Sequence, residues 1–288
     1  MCVSGWQYDR GMSALPLNPG WHASLQLGYQ RRGERTVLVR REHQGPLRVQ
    51  KALYPEGDGV CHTLILHPPA GIVGGDQLAL AVELGEGAHA LVTTPGATKW
   101  YGSAGPRASQ QARLTLARDA CLEWLPQEAI VYDGAEARQG LQVDLGAGAR
   151  FLGLDILCLG RRASGERFTR GRFALANRID QGGVPLWREW GTLQGGSAWL
   201  DHPAGLRGAA VCATVLVAGL QDAAALLQAL RAAVPDGDWA ATALPGVLVA
   251  RWLGQAGEAA RAWFARLWQV LRPAVCGRAA QIPRIWHT

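Results

Sequence analysis

Residues 62–94 read HTLILHPPAGIVGGDQLALAVELGEGAHALVTT, three apolar runs cut apart by Pro-Pro, Gly-Gly-Asp and Gly-Glu-Gly. The runs at 62–66, 77–84 and 89–94 are too short for helices and are bounded by turn-forming residues, which is the pattern of β-strands. The same reading extends outward to 36–40, 47–53, 111–116, 128–132 and 151–159, at intervals of roughly ten residues. In 111–116 the apolar Ala112, Leu114 and Leu116 alternate with Arg113 and Thr115, as a half-buried strand requires. Residues 21–207 therefore form a β-rich body. An even ladder of strands fits a sandwich, a barrel or a solenoid, and no strict short repeat selects among them.

After residue 208 the character changes. Asp222 is placed to cap an Ala/Leu-rich helix that runs to about Ala233 and stops at Val234-Pro235-Asp236-Gly237. A second helix begins near Gly257-Glu258 and is expected to end before Pro273. Trp263, Phe264, Leu267, Trp268 and Leu271 fall at spacings of three and four along it, an apolar stripe for packing on the β body. The tail from Gln281, with Pro283 and Trp286, is apolar enough to fold back. Residues 208–288 are thus a helix-containing region packed on the body in one folding unit, and residues 1–20 are expected to be a disordered N-terminal segment.

The 288 residues are 48% hydrophobic and 18% charged, a globular composition. The net charge of +6 rests on arginine, since Lys51 and Lys99 are the only lysines. Arginines are spread along the chain, with local groups at 31–35 and 161–172, and no nucleic-acid module accompanies them, so nucleic acid is not an expected partner. The 161–172 group fits a docking surface for an acidic protein. Six separated cysteines without a CxxC pair read as reduced, mostly buried thiols of a cytoplasmic protein. The longest apolar stretch, 208–220, is too short to span a bilayer, and no secretory signal opens the chain.

The signatures of zinc hydrolases, P-loop NTPases, serine hydrolases and dinucleotide enzymes do not occur. His62 and His67 are five apart, a spacing that neither strand nor helix turns into a metal pair; at most a weak or transient site is expected there. In HPPAGIVGGD, residues 67–76, the glycines aim Asp76 from a stiff loop. Asp76 either bonds its own turn or faces a cation path or an interface. Asp155, inside the apolar run 151–159, is costly to bury unless an arginine such as Arg161 or Arg162, water or a cation meets it. Glu166 follows in SGERF, and an Asp76/Glu166 carboxylate pair is the one enzymatic alternative, a hydrolase that their separation would decide. Trp187, Trp190 and Trp199 read as core or interface aromatics.

Several long blocks, in fixed order, carry a resemblance. WHASLQL (21–27), HPPAGIVGGD (67–76), TTPGATKWYGS (93–103), LEWLPQEAIVYDGA (122–135), DILCLGR (155–161) and LRPAVCGRAAQIPRIWHT (271–288) resemble the urease accessory protein UreD (UreH) family. Ala70 departs from it, standing where relatives commonly carry a second glycine; a positive φ there would disfavour alanine by roughly 1 kcal/mol.

The resemblance implies a stacked, β-helix-like two-layer body with a small α-helical region near the C-terminus. It also implies a non-catalytic chaperone that joins the accessory protein UreF and the GTPase UreG, in a complex that docks on urease apoprotein. Nickel is then in transit through a polar passage, with no permanently bound cofactor. Asp76, Lys99, Ser103, Asp155 and Glu166, each in a matching block, become the passage candidates, with Asp76, Asp155 and Glu166 as transient nickel ligands. A purely structural adaptor that never touches the ion is the other reading.

Overall fold

The structure, a computed structural model, describes residues 20–235 and 237–287. The expectation of disorder for the N-terminal segment falls, through residue 19, outside the described residues. An antiparallel hairpin opens the fold, β1 (His22–Arg32) and β2 (Arg35–Gln44), followed by β3 (Arg48–Val49). The chain then coils. Each turn contributes a strand to a large sheet, a short strand to a corner and a strand to a smaller sheet.

The first coil is β4 (Cys61–Leu66), β5 (Gly71–Ile72) and β6 (Gln77–Leu84). The second is β7 (His89–Thr93), β8 (Thr98–Trp100) and β9 (Ala108–Leu116), and the third is β10 (Cys121–Leu125), β11 (Ala129–Val131) and β12 (Ala135–Leu145). The last passes from β13 (Arg150–Leu159) to β14 (Gly171–Gln181). Strands β4, β7, β10 and β13 pair in parallel, as do β1, β6, β9, β12 and β14. This is the stacked, β-helix-like body that the resemblance implies.

Successive coils turn in the same way at one corner. Leu84-Gly-Glu-Gly87-Ala88, Leu116-Ala-Arg-Asp119-Ala120 and Leu145-Gly-Ala-Gly148-Ala149 each put a left-handed residue (Gly87 φ 63°, Asp119 φ 56°, Gly148 φ 67°) before a wholly buried alanine. The alanine N–H closes the turn on the residue three before it. This is a repeat in turn chemistry rather than in side-chain identity, so a search for a strict repeat passes over it.

Beyond the coils, β15 (Val184–Gln194) pairs antiparallel with β14. β16 (Val211–Ala218), β17 (Trp239–Leu244) and β18 (Val247–Gly254) extend the large sheet antiparallel from β13. The region after 208 thus holds three strands as well as its two helices. α1 (Ala223–Ala233) starts where expected: Asp222 Oδ1 accepts from the Ala225 N–H at 2.8 Å. The predicted strand at 47–53 shrinks to β3 and an isolated bridge from Leu53 to His62.

Strands of the large sheet are buried on both faces, which explains their near-continuous apolar sequence. The inner face meets the smaller sheet, whose own strands alternate buried with exposed. The outer face is covered by α1 and α2 (Gly257–Cys276), and the expected stripe Trp263, Phe264, Leu267, Trp268 and Leu271 is buried there. Each such side chain contributes about 1.5–3 kcal/mol of burial free energy. The tail folds back as expected: Trp286 donates to Thr93 Oγ1 at 2.9 Å and lies against Phe264 and Trp268.

One expectation fails. α2 does not end before Pro273 but runs through it to Cys276, capped by the left-handed Gly277. Arg272 fixes this last turn. It is completely buried, reaching Glu123 at 2.9 Å, Glu56 at 2.6 Å and the Ala279 carbonyl at 2.6 Å. Tertiary anchoring outweighs the one backbone hydrogen bond that proline removes. Among the described residues, no helix is long and apolar enough to cross a membrane.

Candidate functional site

The interior between the sheets is mostly apolar; besides the buried Tyr29–Thr63 hydrogen bond, it carries two facing polar rows. On the inner face of the smaller sheet, Gln110 and Gln139 are register partners, and one step along Asn177 partners Glu189. On the large sheet, Asp155, Thr214 and Arg251 are register partners on β13, β16 and β18. All three point inward, because their neighbours Leu154, Ile156, Ala213 and Val215 face the helices. Gln139 Nε2 bridges the sheets, 3.3 Å from Asp155 Oδ1, and Arg251 pairs across the gap with Glu189.

Three cavities follow these rows. The first, about 180 Å³, is lined by His67, Ala70, Thr93, Thr98, Gln110 and Trp124 among others. The second, about 70 Å³, shares Thr98, Gln110 and Trp124 with it and adds Gln139, Asp155, Asn177 and Glu189. A third, about 320 Å³, shares Asp155, Asn177, Glu189 and Thr214 and ends at Trp190, Trp199 and Arg251. Since consecutive cavities share walls, a polar seam crosses the sandwich from the His67 loop to the exposed Trp190 and Trp199.

Burial, with Glu189 adding repulsion, pushes the Asp155 carboxyl up to about 6. Neither Arg161 nor Arg162 meets it: Arg161 is held by Glu166, at 2.6 Å from Nη2 to Oε2. At the first cavity, His67 Nε2 is buried without a partner among the described residues, and burial lowers the pKa of the ring.

The other expected residues lie elsewhere. Asp76 is buried, and its two oxygens accept from the backbone of Trp21 at 2.8 Å and of Val73 at 3.0 Å, so it bonds its own turn. Ser103 Oγ donates to the Pro106 carbonyl at 2.6 Å, and Glu166 accepts from the Asp133 N–H at 3.1 Å. Asp76, Ser103 and Glu166 thus lie between strands of the first, second and last coils, each with partners of its own. Lys99 alternates with the inward Thr98 and Trp100 and points the other way. Only Asp155 of the five lines the seam. Asp76 and Glu166, tied into separate turns, do not form a carboxylate pair.

Gln110, Gln139, Asn177 and Glu189 escaped the sequence reading. The signal was present as a polar residue at an inward position of a strand, as in Ala135-x-Ala137-x-Gln139-x-Leu141, but it requires the inward phase of each strand to be known.

Fold and seam together define a coiled parallel-β protein with a line of polar side chains between its sheets. A family model described as UreD urease accessory protein matches residues 22–287. The chain is 57% identical over 286 residues to the urease accessory protein UreD of Dechloromonas aromatica (strain RCB), covering 96% of this chain and 99% of the relative. It is also 57% identical over 271 residues to that of Azoarcus sp. (strain BH72), covering 94% and 95%. To that of Pseudomonas aeruginosa it is 48% identical over 275 residues, covering 95% and 98%. The chain belongs to the UreD urease accessory protein family.

Proposed function

We propose that this protein works in urease maturation as a non-catalytic scaffold and nickel conduit in the cytoplasm. Its partners in this reading are UreF and the GTPase UreG, in a complex that docks on urease apoprotein. The single observation that supports the conduit is the in-register polar seam, with its chain of cavities, through a mostly apolar interior. A divalent ion leaving water needs replacement donors along its way, none so tight that it stalls. The seam offers one histidine nitrogen, amide and hydroxyl oxygens and two carboxylates, spaced along a path rather than gathered into a cage.

The test separates conduit from adaptor. Asn177→Leu and Thr214→Leu place apolar bulk in the seam without touching the outer surfaces. The expected result is an intact complex with urease apoprotein and a several-fold loss of nickel in the urease produced. Wild-type nickel content with both substitutions combined would leave the protein as an adaptor only.

A further inference from the structure

On the opposite face of the large sheet, under the end of α2, a different donor set converges. His89 and Cys121 are direct register partners on β7 and β10, so their side chains leave the sheet side by side toward the helix. Cys276, in the last turn of α2, comes down on them. All three are buried, and their ligating atoms lie within 4.8 Å of one another. We propose that His89, Cys121 and Cys276 form a buried three-ligand site for a thiolate-preferring divalent cation of the zinc(II) kind, separate from the seam between the sheets.

The surroundings favour a metal over three unrelated side chains. His89 Nε2 is 3.0 Å from Glu123 Oε1. With a cation bound, a carboxylate there would hold the Nε2–H tautomer and leave Nδ1 as the ligating nitrogen, the usual support of a metal-bound imidazole. Glu123 is itself held by Arg272 at 2.9 Å and by Trp268 Nε1 at 3.0 Å, so the ring's orientation is set by a rigid frame. Zinc bonds of about 2.3 Å to sulfur and about 2.0 Å to nitrogen put tetrahedral donors roughly 3.5–3.8 Å apart. The observed cluster reaches that by small side-chain rotations.

Charge also balances. Two thiolates neutralise a divalent ion, so the filled site adds no net charge to the interior, where Glu123 is already met by the Arg272 that it shares with Glu56. Two cysteines and one histidine are a donor set zinc accepts, with water in the fourth position. Softness separates this site from the seam, whose donors are mainly oxygens: a thiolate pair retains zinc, whereas scattered oxygens release a harder-bound ion. The site would pin the turn beyond Pro273, and with it the tail that carries Trp286, to the sheet.

The experiment is elemental analysis of the purified full-length chain, wild type and variants, without urease present, so its outcome is independent of nickel delivery. Stoichiometric zinc is expected in the wild type and in Cys212→Ser, with loss in Cys121→Ser and in Cys276→Ser. Because those variants could misfold, the wild type is also refolded with cobalt(II), where a thiolate-to-cobalt charge-transfer band is expected. A folded wild type that takes up neither zinc nor cobalt(II) overturns the proposal. So does zinc content unchanged in both cysteine variants, or an intact mass two hydrogens light that maps to a Cys121–Cys276 disulfide.

Discussion

Asp155 and Arg251 stand in one inward row of the large sheet, each in register with Thr214 between them, yet they do not pair. Arg251 gives its guanidinium to Glu189 of the facing sheet, and Asp155 is left with the amide of Gln139. An arginine two strands away that is already committed leaves a carboxylate in the interior with capacity for a passing cation. Replacing Asp155 by Asn is expected to lower the nickel content of matured urease on the order of tenfold, as loss of a charged partner does at metal sites. Pull-down of the assembled complex, run in parallel, should be unchanged.

The same residue gives a pH-dependent stability. Its carboxyl titrates near 6 when folded, against an ordinary value of 3.8. A raised carboxyl pKa costs stability wherever the unfolded chain is ionised. The cost vanishes well below pH 3.8, grows as pH rises through 3.8 toward 6, and is full above that. Asp155→Asn should therefore raise stability at pH 7.5 by about 2 kcal/mol, discounted for partial solvation in the cavity, and change little at pH 3.5. Thermal melts at the two pH values check this; an equal gain at both would be against it.

Arg272 is the opposite case, a buried charge that is fully partnered. Arg272→Met leaves Glu123 and Glu56 buried without their cation, with an expected loss of about 3–5 kcal/mol in urea unfolding. The double variant Arg272→Met with Glu123→Gln should recover part of that loss, since it removes the stranded charge as well.

Ala70 adopts φ 58°, the left-handed region that the departure from the usual glycine raised as a concern. Ala70→Gly should stabilise by about 0.5–1 kcal/mol, relief of the Cβ strain being partly offset by the greater entropy of glycine when unfolded. Denaturant midpoints will read it.

How much of this was legible beforehand follows from what each feature depends on. The strands at 77–84 and 89–93 and the cap at Asp222 rest on local turn chemistry, and were read directly. The resemblance supplied the coiled stack, since periodicity alone left sandwich, barrel and solenoid level. The end of α2 was misread because a long-range ion pair at Arg272 outweighs a local rule about proline. Of the five passage candidates only Asp155 lines these cavities, because matching blocks of sequence mark what a family shares, turns included, without saying which side of a strand faces inward. Gln139, Asn177 and Glu189 have meaning only once four strands are in register.

In both sheets the parallel run is bracketed by antiparallel neighbours. β2 and β15 flank one, and β3 and β16 flank the other. A coil of parallel strands has no natural end, since the last turn offers the next the same ladder that it received. These reversed strands make the length finite, and Pro185 on β15 blunts the outermost rung further. A chain cut before β15 exposes the β14 edge as a template and is expected to polymerise, seen as early elution in size-exclusion chromatography, so the hairpins at the margin of the seam are what close the ladder.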